Sequence, residues 1–99
     1  MVVGISRVEI FLPENHSLKE KRQATKRIVE RTRQKFNVSL MEIDRTNLWQ
    51  RATIGFSVVG SRREIVERMI DNIHIFIESL YIGKVIDTNT EIMMVGNEI

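Results

Sequence analysis

Two copies of the motif Ser-x-x-Glu, which begin at Ser17 and Ser61, constrain the fold of this 99-residue chain more than any other feature. Each copy fits a capping box, in which the serine hydroxyl and the glutamate carboxylate satisfy backbone amides at the start of a helix. Each copy also follows a segment in which apolar and polar residues alternate, as they do in a half-buried strand. The chain therefore predicts a strand–helix unit that occurs twice.

The alternation and the two motifs together predict six elements in the order βαββαβ. Strands are expected at about residues 2–12, 38–44, 52–60 and 84–94, and helices at about residues 17–35 and 61–80. The usual solution for this order is an α+β ferredoxin-like sandwich, a four-stranded antiparallel sheet with two helices on one face. Residues 1–99 are predicted to form this single domain, with about residues 93–99 as a C-terminal extension.

Three short segments carry a family resemblance. They are Ser17-Leu-Lys-Glu-Lys-Arg22 after the first strand, Phe36-Asn-Val-Ser39 after the first helix and Leu48-Trp-Gln-Arg-Ala52 before the third strand. Over residues 2 to about 92 the chain resembles the YlxP-like family, short bacterial proteins that contain a domain of unknown function. The resemblance implies a ferredoxin-like fold. It also implies a link to translation or ribosome maturation, because such genes often lie beside those for translation initiation factor two and ribosome-binding factor A. It supplies no catalytic residues.

The first predicted helix concentrates positive charge. Eight of the fifteen basic residues but only two acidic residues lie between positions 17 and 35, whereas the net charge of the whole chain is +2. Helical spacing places Lys19, Arg22, Lys26 and Arg33 on one flank, and Arg27, Arg31 and Lys35 on a second. Clustered cations attract polyanions, so this helix is predicted to contact rRNA or a ribosomal subunit. The alternative is a solvated helix face whose aliphatic stems cover a thin core.

A loop cluster is expected at the end of the sandwich where the basic helix starts, because the topology places the first and third connections side by side. The predicted cluster consists of Lys21, Trp49, Gln50 and Arg51. In one interpretation Trp49 stacks on an unpaired base and Arg51 clamps a phosphate. The favoured alternative is that Trp49 is buried as a cap on the sandwich end, since tryptophan is usually well buried. Arg51 would then pair with Glu14 or Asp44.

The sequence shows no evident set of catalytic residues. The chain contains no cysteine, which excludes a thiolate nucleophile, a disulfide and a cysteine-based zinc site. No metal, cofactor or catalytic residue is predicted. The first loop lacks glycine, so it does not form the phosphate-binding nest of the acylphosphatase branch of this fold. His16 and His74 are expected to be ordinary surface or boundary residues, without an acidic partner to make either a base.

The sequence thus predicts a cytoplasmic, non-enzymatic binding module with no membrane span. The predicted outer face of the sheet lacks the aromatic residues that RNA-recognition motifs use, so RNA is not expected to stack there. That face is an alternative site for a second copy of the protein, in a homodimer or a larger homo-oligomer. A further alternative is an unrecognised hydrolase with its site at the Trp49 loop.

Overall fold

The computed structural model describes residues 1–43 and 48–96, and this part of the chain forms four strands and two helices in the order βαββαβ. The strands are β1 (Val2–Phe11), β2 (Ser39–Glu42), β3 (Arg51–Gly60) and β4 (Lys84–Met94), and the helices are α1 (Leu18–Lys35) and α2 (Arg63–Ser79). The α+β ferredoxin-like prediction is therefore confirmed. Residues 44–47, which include the predicted end of the second strand, lie outside the described residues.

The strands form one antiparallel sheet in the order β2-β3-β1-β4. Strand β1 pairs along its whole length with β3 and with β4, with an irregularity in the β4 pairing between Glu9 and Ile10. The pairing reaches Val2 opposite Met94, and the Val95 amide continues it by donating to the Met1 carbonyl at 2.8 Å. Residues 93–95 of the predicted extension therefore continue the sheet, whereas residues 97–99 lie outside the described residues.

The core lies between the sheet and the two helices. The predicted alternation is confirmed, because Val8, Ile10 and Leu12 are buried beneath the helices while residues 7 and 9 face the other side. Strand β3 contributes Ile54, Phe56 and Val58, and the helices add Ile28, Val29, Val66, Ile70, Ile73 and Ile77. Burial of each large aliphatic side chain is worth about 1.5–3 kcal/mol. The two helices meet through the rings of Phe36 and Phe76, whose centroids are 5.5 Å apart in an edge-to-face arrangement.

The two helix starts differ from each other. Ser17 caps α1 as predicted, with its hydroxyl accepting from the Glu20 amide at 3.1 Å, and the Glu20 carboxylate accepts from the His16 amide at 2.7 Å. The predicted cap at Ser61 is wrong. Helix α2 has Arg62 at its N-cap with no side-chain cap bond, because its first backbone bond runs from the Val66 amide to the Arg62 carbonyl. Ser61 thus precedes the cap by one residue, out of register with the amides that it would satisfy.

Candidate nucleic-acid interface

Helix α1 exposes both predicted cationic flanks. The side chains of Lys19, Arg22, Lys26, Arg27, Arg31, Arg33 and Lys35 are all exposed. They are exposed because the opposite face packs on the sheet through Ala24, Thr25, Ile28, Val29 and Thr32. One helix of 18 residues therefore presents seven cations to solvent, with only Glu20 and Glu30 as counter-charges on the same helix.

Few of these cations are engaged with other groups. Lys26 lies 3.9 Å from Glu30, but both side chains are more than half exposed, so this pair contributes little. In the described ranges 1–43 and 48–96, Arg22, Arg27 and Arg31 form no ion pair. Their charges are therefore available to a partner.

Arg33 differs from the other cations of its flank. Its Nε donates to the Leu40 carbonyl oxygen at 2.8 Å. Leu40 lies in β2, an edge strand whose backbone groups are paired on one side only. A charged side chain over such an edge also blocks pairing with another chain. Arg33 is thus held at the sheet edge and adds less to the cationic surface than its helical position predicts.

Lys21 does not belong to an exposed loop cluster. Its relative exposure is 4%, and it lies on the inner face of α1, one turn before Ala24 and Thr25. The prediction followed the topology, which brings the start of α1 to this end of the sandwich, and did not include the inward position of Lys21 on the helix. A long aliphatic stem allows a lysine to lie along apolar surface in this way.

A cleft is found at the predicted loop end of the sandwich. It has a volume of about 720 Å³ and is lined by Phe11, Asn15, His16, Leu48, Trp49, Gln50 and Arg51. The exposed fractions of Trp49 and Leu48 are 51% and 55%. The prediction that Trp49 is buried as a cap is therefore wrong. The structure does place the first and third connections side by side, as the topology predicts, because Asn15 and His16 line the cleft together with Trp49, Gln50 and Arg51.

Hydrogen bonds between the two loops fix the walls of the cleft. The Leu12 amide donates to the Gln50 carbonyl at 2.8 Å, and the Gln50 side-chain amide donates back to the Pro13 carbonyl at 3.3 Å. The Asn15 side-chain amide donates to the Trp49 carbonyl at 3.3 Å. These contacts anchor the Trp49 loop through its backbone. They explain how the Trp49 ring stays largely exposed in a segment that is nevertheless positioned.

Arg51 has a different partner from the predicted ones. Its Nη1 lies 3.7 Å from Oε1 of Glu9, whereas Glu14 or Asp44 was predicted and Asp44 lies outside the described residues. Arg51 stands opposite Phe11 in the β1–β3 register, so Glu9 is its diagonal neighbour on the same face of the sheet. The Arg51 side chain is half exposed, which makes this a weak pair.

Asn15 is the residue of this region that sequence reasoning missed. It is 8% exposed, and besides lining the cleft it lines a groove on α1 with Gln23, Lys26 and Arg27. The same groove is bordered by Glu14, Glu20, Ala24 and Glu30. Asn15 therefore lines both the cleft and the groove, so the two features are neighbours. Asn15 stands in a turn after Pro13, where asparagine is common, so the sequence offers no separate signal for it.

His74 does not line this surface but lies half-buried at the boundary between α2 and the sheet, as expected for a boundary residue. Its Nε2 lies 2.9 Å from the Ser6 hydroxyl, which lies 3.1 Å from the Thr90 hydroxyl, and its ring meets Phe56 edge-on. Burial lowers the pKa of His74 below its ordinary value of 6.5, and the nearby Asp71 carboxylate partly opposes this. The histidine is a contact between α2 and the sheet, which the sequence did not predict.

Neither described helix is long and apolar enough to cross a lipid bilayer.

The fold and the surface features together define a small βαββαβ domain with one cationic helix and a terminal cleft. A family model described as a protein of unknown function, DUF503, matches residues 3–90, and the chain belongs to this family. It is 38% identical over 78 residues to the uncharacterized protein YlxP of Bacillus subtilis (strain 168). The aligned region covers 79% of this chain and 85% of that protein. These matches confirm the resemblance to the YlxP-like family.

A solved structure is also similar to this chain. The de novo designed protein Foldit4 aligns with a TM-score of 0.50 and 17% sequence identity, covering 96% of this chain and 98% of its own. At this identity the likeness concerns the fold alone.

Proposed function

We propose that this protein is a cytoplasmic, non-enzymatic module that binds rRNA, alone or within a ribosomal subunit, through the exposed face of α1. The observation that supports this most is the set of exposed guanidinium groups of Arg22, Arg27 and Arg31 on a single helix, which form no ion pair within residues 1–43 and 48–96. Arginine suits phosphate recognition because its planar group donates two parallel hydrogen bonds to one phosphate.

The charge distribution favours a polyanion over a small acidic ligand. The cations extend from Lys19 to Lys35, and a helix rises about 1.5 Å per residue, so they span several phosphates of a nucleic-acid backbone. Like charges at i, i+4, such as Arg27 and Arg31, repel each other by about 0.2–0.5 kcal/mol per pair. A phosphate backbone would relieve this repulsion, which a solvated helix face leaves in place.

Family context adds an independent reason to look at the ribosome. The resemblance to the YlxP-like family implies a link to translation or ribosome maturation through neighbouring genes. The relative from Bacillus subtilis is itself uncharacterized, so it assigns no partner. The RNA proposal therefore depends on the α1 surface.

Cosedimentation with ribosomal subunits tests the proposal. The test variant carries Arg22→Gln, Arg27→Gln and Arg31→Gln, and the matched control carries Arg62→Gln, Arg63→Gln and Arg68→Gln on and beside α2, where the residues are also exposed. At moderate salt, the wild-type protein and the control should sediment with a subunit while the α1 variant stays at the top of the gradient. Equal behaviour of the two variants would contradict the proposal.

The outer sheet face supports a second candidate function, self-association. Val59, Met93 and Ile5 are 59%, 44% and 37% exposed, and Val3 lies between Val59 and Met93 in the sheet register. These residues form an apolar strip across three strands, which is the kind of surface that a homodimer buries. Val59→Asp should convert such a dimer into a monomer in light scattering. A wild-type protein that is monomeric at high concentration would exclude this candidate.

The hydrolase alternative gains no support from the cleft. Among its described lining residues, His16 is the one conventional general base, and no serine, threonine or carboxylate lines the cleft beside it. Asn15 and Gln50 are committed to loop contacts through their amide groups. We therefore do not propose hydrolysis.

A further inference from the structure

We infer that the cleft at Trp49 binds one unpaired base of the RNA that α1 holds. This inference rests on the proposed function, because the phosphates on α1 would bring the base to the cleft. It adds a preference for bulged or looped RNA, which the cationic helix alone would not give.

The apolar side of the cleft fits a base. Phe11, Leu48 and Trp49 line it, and the Trp49 ring is the largest exposed apolar surface among them. A volume of about 720 Å³ lies within the range of small-ligand clefts and exceeds what one base needs, leaving room for its sugar. Bases stack on aromatic rings whatever their identity, because each base has a π-face.

The polar side of the cleft offers the groups that a base edge would contact. The side-chain amides of Asn15 and Gln50 donate to backbone carbonyls of the facing loops, which sets which end of each group is the donor. Their side-chain oxygens then act as acceptors for the amino or imino group of a base. Both residues are fixed before binding, so little ordering is required when the base enters.

The charges around the cleft favour a nucleotide over an apolar peptide. Within the described lining, Arg51 supplies a positive charge and no residue supplies a negative one. The Arg51 guanidinium lies 3.7 Å from the Glu9 carboxylate, and the Arg51 side chain is half exposed, so this ion pair is weak. A phosphate beside the bound base can therefore replace Glu9 as the partner of Arg51 with little loss of free energy.

The connection to α1 supplies a path for the rest of the strand. Asn15 separates the cleft from the groove that contains Lys26 and Arg27. Nucleotides on either side of the unpaired base would therefore run over Asn15 toward these cations. Three carboxylates also border this groove, those of Glu14, Glu20 and Glu30. Glu20 accepts from the His16 amide and Glu30 lies 3.9 Å from Lys26, so the strand must pass them to reach the cations.

Two RNA hairpins and the intrinsic fluorescence of Trp49 test the inference. One hairpin is fully paired and the other is the same stem with a single bulged adenosine. Trp49 is the one tryptophan of the chain, so a base stacked on it should quench the fluorescence of the protein. Affinities for both hairpins are measured separately by anisotropy of end-labelled RNA, for wild-type protein, Trp49→Ala and Trp49→Phe.

We expect the wild-type protein to bind the bulged hairpin about tenfold more tightly, with quenching, since stacking of one base has an effect of this order. Trp49→Ala should lose this preference while keeping its affinity for the paired stem, and Trp49→Phe should keep part of the preference. The Arg22, Arg27 and Arg31 variant should weaken binding of both hairpins and retain the ratio between them.

The experiment distinguishes an error in the proposed base-binding cleft from an error in the proposed RNA binding by α1. Equal affinities for the two hairpins with unchanged fluorescence would overturn the cleft and leave α1 as an RNA-binding helix. No binding of either hairpin at low salt would overturn both. Loss of paired-stem binding in Trp49→Ala, with an unchanged circular dichroism spectrum, would also overturn the inference, because Trp49 would then act on every RNA alike.

Discussion

Helices α1 and α2 occupy equivalent places in the repeated strand–helix unit, yet they bury different kinds of side chain. The buried residues of α2 are all aliphatic, whereas half of those of α1 are polar. The buried set of α2 is Val66, Ile70, Ile73 and Ile77, and that of α1 is Ala24, Ile28 and Val29 with Lys21, Thr25 and Thr32. The exposed faces differ as well, since α1 carries seven exposed cations whereas α2 carries both positive and negative charges. The difference indicates that α2 supplies stability, while α1 gives up part of its core contact and presents a cationic surface.

The largest expected effect concerns the core of α2. Ile73 is fully buried, so Ile73→Ala should lower the free energy of unfolding by about 2–5 kcal/mol. The equivalent test on α1 is Ile28→Ala, which should cost less within this range, because the buried neighbours of Ile28 on the helix include Thr25 and Thr32. Urea melts of both variants measure the contrast. Similar losses in the two variants would show that the helices contribute alike.

A smaller effect of opposite sign is expected inside α1. The Thr25 hydroxyl is buried and has no hydrogen-bond partner in the part of the chain that the structure describes, so Thr25→Val should raise the free energy of unfolding by about 1 kcal/mol. Thr32 is the matched control, because its hydroxyl donates to the Ile28 carbonyl at 2.7 Å. Thr32→Val should not stabilise the protein. A lower free energy of unfolding in Thr25→Val would mean that the buried Thr25 hydroxyl does not destabilise the folded protein.

The cleft beside the start of α1 should likewise contribute little to stability. Since Trp49 is half exposed, Trp49→Ala should change the free energy of unfolding by less than about 1 kcal/mol. Phe56→Ala is the control, because Phe56 is 5% exposed within the core and its truncation should cost about 3–5 kcal/mol. Equal losses of stability in Trp49→Ala and Phe56→Ala would show that Trp49 acts as a structural cap on the sandwich end.

His74 on α2 should make the stability of the protein sensitive to pH. Burial lowers the pKa of His74 in the folded protein below its unfolded value of 6.5, so the unfolded chain binds more protons in the interval between the two values. Stability should therefore fall as pH decreases from 7.5 toward the folded pKa. His74→Gln, with Ser6 still present, should reduce this fall. Urea melts at pH 7.5 and 5.5 compare the two proteins, and an unchanged acid sensitivity in His74→Gln would contradict the assignment.

Those parts of the molecule that depend on local pattern could be predicted from the sequence. The cap at Ser17, the end of α1 at Lys35 and the inward faces of β1 and β3 follow from spacing within one element. The Ser61 cap failed because the local pattern fits a capping box at Ser61, whereas the helix starts one residue later at Arg62, which that pattern does not indicate.

The site was predicted less completely because it depends on contacts between elements. Burial of Trp49 was inferred from the general preference of tryptophan, whereas the Asn15 bond to its carbonyl holds the loop with the ring outside. The pairing of Arg51 with Glu9 needs the register of β1 against β3, which no local pattern supplies. Lys21 was placed by the topology of the sandwich end, although its position on the helix faces inward.

The salt dependence of RNA binding tests the contrast between α1 and α2 most directly. For contact with five or six phosphates, log Kd plotted against log salt should have a slope of about 4 to 5 in magnitude, measured with a purified rRNA fragment. Replacing Arg22, Arg27 and Arg31 by Gln should make the slope shallower by about 2–3 units, while the variant of Arg62, Arg63 and Arg68 should keep the wild-type slope. Equal slopes for all three proteins, or a larger change in the α2 variant, would contradict α1 as the nucleic-acid interface.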